Sequence, residues 1–302
     1  MGSAVITDRM KKTLVQLAFG AGIISIFGCT PATPAEPTMQ ELLRDPAVAE
    51  FAAWQKDHSL PAIELEPSGP PPATPGGTRI GGPVWLAAGE AWPADAEGQP
   101  MSFLAQVDFA ELPHLPDYPA SGVLQFFLAR DDFYGANFDK PETGKFRVIW
   151  RERIDGPGKL HIRTLRGDRG IDDYSPLDDQ TVKHGIALKP KRVEQAPSVD
   201  SWLAERDLGK LFERAKSDSI YAFADKQYEL NPQRHHIGGH PGFTQSDWRA
   251  APAYQDIDRV LLNLWSDDHI MWGDSGQGQF MIRREDLLKR DFSKVFYQWD
   301  CY

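Results

Sequence analysis

The sequence predicts an α+β protein made of two duplicated, mostly antiparallel sheet halves, with N-terminal helices and a central helical insert. Three observations predict it. Short runs rich in β-branched and aromatic side chains, each bounded by Pro, Gly or Asp, recur along the chain as strands do. Helical apolar spacing is confined to two regions, and one short pattern of residues occurs twice in the same order. The 302 residues include 26 Gly and 24 Pro, which interrupt helices often. With 41% hydrophobic and 25% charged residues, the chain is globular rather than disordered, collagen-like or a polytopic membrane protein.

The first residues read as an address. Arg9, Lys11 and Lys12 precede Thr13 to Phe27, which carries no charge, and Gly28-Cys29 follows. A helix of that run spans about 22 Å, short of a hydrocarbon core of about 30 Å. The layout resembles the lipobox of bacterial lipoproteins, with Ile26 at the aliphatic position and Cys29 as the lipidated residue. Residues 1–28 are then a signal peptide, and residues 29–37, Pro-rich, an extended tether. A plain secretory signal and an uncleaved apolar helix are the other readings of the same run. Met10-Lys11-Lys12 would itself be an ordinary start, which makes residues 1–9 an upstream extension. Thr30 after Cys29 implies the outer membrane in a diderm host, so the expected location is the cell envelope, lipid-anchored on the periplasmic face. Once Cys29 is lipidated, Cys301 has no intramolecular partner and no disulfide supports the fold.

Residues 38–302 form the predicted domain. Thr38 and Glu41 fit a capping box, and the stripe Leu42, Leu43, Val48, Phe51, Trp54, broken at Asp45-Pro46, predicts one kinked or two short helices. Residues 67–77 form a Pro/Gly surface loop. Strands are expected at 101–109, 122–129 and 145–151, then a polar stretch at 156–179. Helices are expected at 198–216 and 217–230, and strands again at 259–266, 279–283 and 294–300.

The repeat organises these elements. Ile80-Gly81-Gly82 recurs as Ile237-Gly238-Gly239, and 26 residues after each Ile a carboxamide sits in an apolar strand, Gln106 and Asn263, at a shared offset of 157. Gln125-Phe126 and Gln279-Phe280 match at an offset of 154, each run followed by acidic residues, Asp131-Asp132 and Glu285-Asp286. The halves are 78–151 and 235–300. Their glycines suit a backbone that other residues resist, and the carboxamides can satisfy backbone groups inside a sheet.

The same residues carry a resemblance. Arg79-Ile80-Gly81-Gly82-Pro83, Phe103 to Asp108, Gly122 to Phe127, Met271 to Gly276, Asp291 to Val295 and Cys301-Tyr302 resemble the YwqG-like family, a bacterial family of unknown function, from about residue 40 to 302. The resemblance implies an α+β domain with a duplicated sheet and supplies no catalytic residues. Proximity of some relatives to toxin and immunity genes hints at protein binding.

Function follows less directly. A net charge of −10 argues against nucleic acid as a partner. Gly273-Asp274-Ser275-Gly276 reads as a strand-entry turn rather than a protease nucleophile segment, since no His with the expected company precedes it. No phosphate-binding glycine loop is present and no cofactor is expected. Asp168, Asp172, Asp173, Asp178 and Asp179 miss the EF-hand spacing and read as a solvated acidic loop. Of Trp85, Trp92, Trp248, Trp265, Trp272 and Trp299, one or two should reach a functional surface and the rest the core. The favoured reading is a non-enzymatic binding or scaffold module, held to the membrane by its N-terminal lipid and meeting a protein partner in a groove between the halves. The candidates there are Arg79, Trp92, Asp131, His236, Trp272 and Asp274. The alternative is a metal-assisted hydrolase using His236, His240, Asp267, His269 and Asp274, although the glycines between His236 and His240 forbid the helix that would align them.

Overall fold

The computed structural model describes residues 36–71, 74–155, 157–162, 175–215, 218–232 and 234–302. The expected signal peptide, Cys29, most of the tether, and Asp168, Asp172 and Asp173 lie outside these. The chain runs α1 (Met39–Leu42), α2 (Pro46–Asp57), β1 (Leu60–Pro67), β2 (Arg79–Ile80), β3 (Val84–Ala87), β4 (Ser102–Asp108), β5 (Val123–Leu128), β6 (Phe146–Arg151) and β7 (Gly158–His161). It continues through α3 (Asp179–His184), β8 (Ile186–Gln195), α4 (Trp202–Ala215), α5 (Asp218–Leu230), β9 (His236–Gly238), β10 (Arg259–Trp265), β11 (Gln277–Ile282), α6 (Arg284–Leu288) and β12 (Phe296–Asp300).

The N-terminal stripe divides into two helices at Asp45-Pro46. The Glu41 amide donates to the Thr38 hydroxyl and the Thr38 amide to the Glu41 carboxylate at 2.9 Å, which closes the capping box of α1. Asp45 accepts from the Ala47 amide, and Pro46 at the first position of α2 lacks only an N–H that this turn leaves unbonded. Helices α2, α4 and α5 meet around buried Phe51, whose ring lies 6.2 Å from Phe212 and 6.3 Å from Phe223.

Ten strands form one antiparallel sheet in the order β12-β11-β10-β9-β1-β8-β2-β4-β5-β6, and β3 pairs with β7 in a separate ribbon. The long pair β1–β8 is its centre, and an arm of four strands extends from each side. The two arms have matching registers. Across one, Arg79 lies opposite Gln106, Gln106 opposite Gln125, and Gln125 opposite Ile149. Across the other, His236 lies opposite Asn263, Asn263 opposite Gln279, and Gln279 opposite Gln298. Both β4 and β10 carry an irregularity, between Phe103 and Ala105 and between Val260 and Leu262, and these positions too are 157 apart.

The sheet curls nearly into a barrel because both arms bury the same face in one core. Phe126 of β5 lies 4.9 Å from Phe280 of β11, Phe146 lies 5.4 Å from Tyr297, and Tyr297 stacks on Phe280 at 4.6 Å. Tyr118 donates to the Val260 carbonyl at 2.8 Å, and Asp117 bonds Arg259 and Arg284, so the loop after β4 is tied to the opposite arm. The outer face of each arm has its own small core, Val84, Met101, Phe103, Phe127 and Ala129 under the β3–β7 ribbon, and Ile257, Val260, Met281 and Phe296 in the other arm.

Two expectations need correction. The segment between the halves is not wholly helical, since it supplies β7, α3 and the central strand β8. The polar stretch also contains structure, for Asp178 caps α3 by accepting from the Gln180 and Thr181 amides.

The Gly-Gly turns need glycine for two separable reasons. Gly81, Gly82, Gly238 and Gly239 all have φ between 61° and 75°. A Cβ on Gly81 would also collide with the Thr181 carbonyl, whereas Gly89, at φ 81°, has open space around it. Gly89→Ala should therefore cost about 1 kcal/mol, and Gly81→Ala about 3 kcal/mol or more. Urea unfolding midpoints of the two variants test this; equal losses would remove the collision from the account.

Candidate functional site

The repeated motifs place their polar residues on the outer faces of the arms, in a buried hydrogen-bond network. Arg79 donates through Nη1 to the Gly77 carbonyl at 3.1 Å and through Nη2 to the Pro83 carbonyl. His236 sets Nδ1 3.0 Å from the Arg234 carbonyl and Nε2 2.9 Å from the His240 carbonyl. Residues 77 and 234, and 83 and 240, are 157 apart, so each turn presents the same carbonyl pair to its own nitrogenous side chain. The glutamines repeat this logic. Gln125 Nε2 donates to the Trp85 carbonyl and Gln279 Nε2 to the Gly242 carbonyl. The acceptor oxygens are filled by Arg151 Nε on Gln125, at 2.6 Å, and Trp248 Nε1 on Gln279, at 3.0 Å. These side chains close the backbone of each turn onto the sheet.

Arg79 and His236 are thus buried structural groups and do not line a groove. Trp272 is fully buried in the main core. Trp92 is half-buried, donating to the Met101 carbonyl and meeting Phe127 edge-on. Asp131 accepts from the Phe133 and Gly135 amides and shapes the loop after β5. Asp274 is exposed in the turn Gly273 to Gly276 that enters β11, the role expected of that tetrapeptide. Arg79, His236 and Trp272 are thus buried in the fold, and none of the six lines the cleft described below.

The His/Asp set is dispersed as well. His235, whose spacing with His236 and His240 resembles a metal pair in the sequence, accepts from the Trp265 amide through Nδ1 and so donates from Nε2 to Asp267 at 3.0 Å. Asp267 also accepts from the His269 and Ile270 amides. His240 Nε2 donates to the His58 carbonyl, and its amide donates to Gln195. Among the described residues no group of three or more His, Cys, Asp or Glu is placed to hold a metal ion.

A cleft of about 340 Å³ opens instead at the free edge of β12, where the loop after β5 crosses the opposite arm. Its lining includes Phe138 from that loop, Trp248, and Gln298, Trp299 and Asp300 from β12. Gln298 Nε2 donates to the Asn137 and Phe138 carbonyls and Trp299 Nε1 to the Phe133 carbonyl, so the loop is pinned along the strand. Phe133 and Phe138 are 56% and 48% exposed, and their rings, with that of half-buried Trp299, pack edge-on. Asp300 accepts from the Thr244 amide at 2.8 Å and the Gln245 amide at 3.0 Å. Burial pushes its carboxyl above the usual range, against the pull of those amides. Of the tryptophans in the sequence, Trp248 and Trp299 line this cleft. Phe138, Gln298 and Asp300 carry no sequence signal beyond their residue types.

These features define an α+β protein with a nearly barrel-shaped antiparallel sheet and a mixed aromatic and polar cleft at its edge. The chain belongs to the family described as a domain of unknown function, DUF1963, whose sequence profile matches residues 78–301. No curated protein matches the chain. Among the described residues, no helix is long and apolar enough to cross a membrane.

The buried histidines make stability depend on pH. Burial lowers His240 from 6.5 to about 4, with Arg249, His236 and His58 adding repulsion against the His58 carbonyl's opposing pull. Between those values the unfolded chain takes up a proton there and the folded chain does not, so stability falls as pH drops. The loss from this one residue is about 3 kcal/mol from pH 7 to pH 4, and His236, lowered chiefly by burial, adds to it. Urea unfolding at both pH values should show a smaller loss in His240→Gln, which keeps a donor for the His58 carbonyl. An unchanged loss would remove His240 as a source.

Proposed function

We propose that this chain is a non-enzymatic binding module of YwqG-like type, held at the bacterial cell envelope by lipid on Cys29, and that the cleft at the β12 edge is its binding site. The cleft is the observation that carries the binding reading. Its volume falls at the lower end of the roughly 300–1,000 Å³ of small-molecule sites, enough for one small ligand or one group presented by a partner. Its walls come from both arms, Phe138 from one and Trp248, Gln298, Trp299 and Asp300 from the other. The envelope reading rests on the N-terminal layout ending at Cys29. We read the arms as duplicated halves. Supporting this are the common offset of the Gly-Gly turns and carboxamides, the equivalent strand irregularities, and the equivalent carbonyls that Arg79 and His236 meet.

Phe138 is exposed and can be shortened with little effect on the core, so Phe138→Ala should melt within about 2 °C of wild type. A ligand-observed NMR screen of small molecules against the full chain should give hits, and Phe138→Ala should weaken those that occupy the cleft at least tenfold. A screen without hits, or hits indifferent to Phe138, counts against the cleft. The anchor is tested separately. Labelled palmitate should be incorporated into the wild type and not into Cys29→Ser, and absence of label in both would remove the lipid.

A further inference from the structure

We propose that the cleft recognises an organic ammonium group such as the trimethylammonium of choline. This rests on the reading of the cleft as a binding site, and names what it binds. Asp300 is the first reason. Its carboxylate is met only by neutral donors, the amides of Thr244 and Gln245 on Oδ2, while Oδ1 is buried with no hydrogen-bond partner among the described residues. No Lys, Arg or His among the described residues forms an ion pair with it. A largely buried carboxylate without a counter-ion favours a cation brought beside it, because the low dielectric that penalises the lone charge also strengthens the pair.

The second reason is how the lining's hydrogen-bond donors are used. Trp248 Nε1 is engaged by Gln279, Trp299 Nε1 by the Phe133 carbonyl, Gln245 Nε2 by the Cys301 carbonyl at 2.7 Å, and Gln298 Nε2 by two carbonyls. Apart from the Ser246 hydroxyl and the Cys301 thiol, what the lining leaves toward a ligand is ring faces and oxygen acceptors. Such a lining suits a cation and repels an anion, and no Lys or Arg is part of it. The rings of Phe138 and Trp299 stand 5.6 Å apart at 62°, two walls of an angled aromatic corner. Ring faces attract cations, and methylated ammonium groups, which water solvates weakly, are the ones they hold best. Asp139 and Glu142, exposed on the loop that carries Phe138 and bonded by Tyr254, outnumber the exposed Lys140 between them, so that stretch adds a net negative charge near the cleft.

The cation could be free or displayed on a lipid headgroup, and the test separates the two. Calorimetry of the full chain with choline and tetramethylammonium should show binding at one site. The neutral isostere 3,3-dimethylbutan-1-ol should bind at least tenfold more weakly. Asp300→Asn should weaken choline at least tenfold. Because Asp300 is largely buried, exposed Phe138→Leu provides a second variant, with an expected loss of about fivefold and an unchanged melting curve. In a Cys29→Ser background, sedimentation with phosphatidylcholine vesicles that choline reverses identifies the headgroup as the source. Choline binding without vesicle sedimentation identifies the free cation. Equal binding of choline and its isostere, or no choline binding, overturns the proposal. If a neutral ligand then binds and is lost in Phe138→Leu, the binding reading survives alone; if nothing binds at the cleft, both fall.

Discussion

Each arm of the sheet depends on the carbonyl groups left by its Gly-Gly turn. After β2 and after β9 the chain reverses with φ positive at two successive residues and lies back across the outer face of its own arm. The carbonyls on either side of the reversal lie outside the strands, those of Gly77 and His240 in buried residues and those of Pro83 and Arg234 in less buried ones. An unsatisfied buried carbonyl costs about 1–3 kcal/mol, so a side chain that spans the pair stabilises the turn. Arg79 does so in one arm through a two-pronged guanidinium. His236 does so in the other through opposite nitrogens of a ring. A neutral imidazole has one N–H, so it can donate to only one of the two oxygens at a time, and burial resists the proton that would serve both. The arms solve one problem with side chains of unequal capacity.

From that anchoring the rest of the sheet follows. With the turns fixed, the carboxamides of Gln106, Gln125, Asn263 and Gln279 bond the incoming backbone and each other, which commits one face of each arm to polar closure. The alternating residues must then bury the opposite face, and since both arms grow outward from β1–β8 those faces meet. The aromatic contacts among Phe126, Phe146, Phe280 and Tyr297 are the result. The helices have their own apolar cluster around Phe51.

Much of this was legible in the sequence, and the exceptions have physical causes. Strands β4, β5, β10 and β11 announce themselves as apolar runs because both of their faces are covered, and β6 and β12 by their aromatic and β-branched residues. The capping box at Thr38 and the break at Asp45-Pro46 are local chemistry and survive folding unchanged. The central strands were missed. Leu60 to Pro67 holds two prolines and two glutamates, and Ile186 to Gln195 holds Pro190 among lysines and an arginine, compositions that argue against central strands. The register resolves the conflict. Pro190 lies where β8 pairs only with β1, since β2 reaches only Ile186 and Ala187, and Pro61 precedes the stretch of β1 that pairs with β9. Each missing N–H therefore faces no ladder. The candidate site was less legible for a related reason. Arg79 and His236 stand beside repeated motifs because the turns need them, which is the same signal a functional residue would give. The cleft residues come from a loop and a strand end far apart in sequence and have no local pattern.

The two arms differ at the places that decide which one can host a ligand. In the first, the β3–β7 ribbon lies over the outer face, its Val84 is fully buried in the small core there, and Ile149 opposite Gln125 packs against that core. Arg151, which bonds Gln125, is held in turn by Glu90 at 2.8 Å, so the polar network is closed by an internal ion pair. In the second arm no described strand covers that face. Trp248 takes the place of Arg151 on the glutamine, and the residue opposite Gln279 is Gln298 rather than an isoleucine. An apolar contact in one arm is a polar lining in the other, and two strand positions further on Asp300 adds a carboxylate with no ion-pair partner among the described residues. The architecture that makes the arms equivalent therefore also isolates the difference. Both arms cover their outer face, the first with the β3–β7 ribbon and the second with its own returning chain, and the cleft lies only at the β12 edge, where the loop from the first arm crosses.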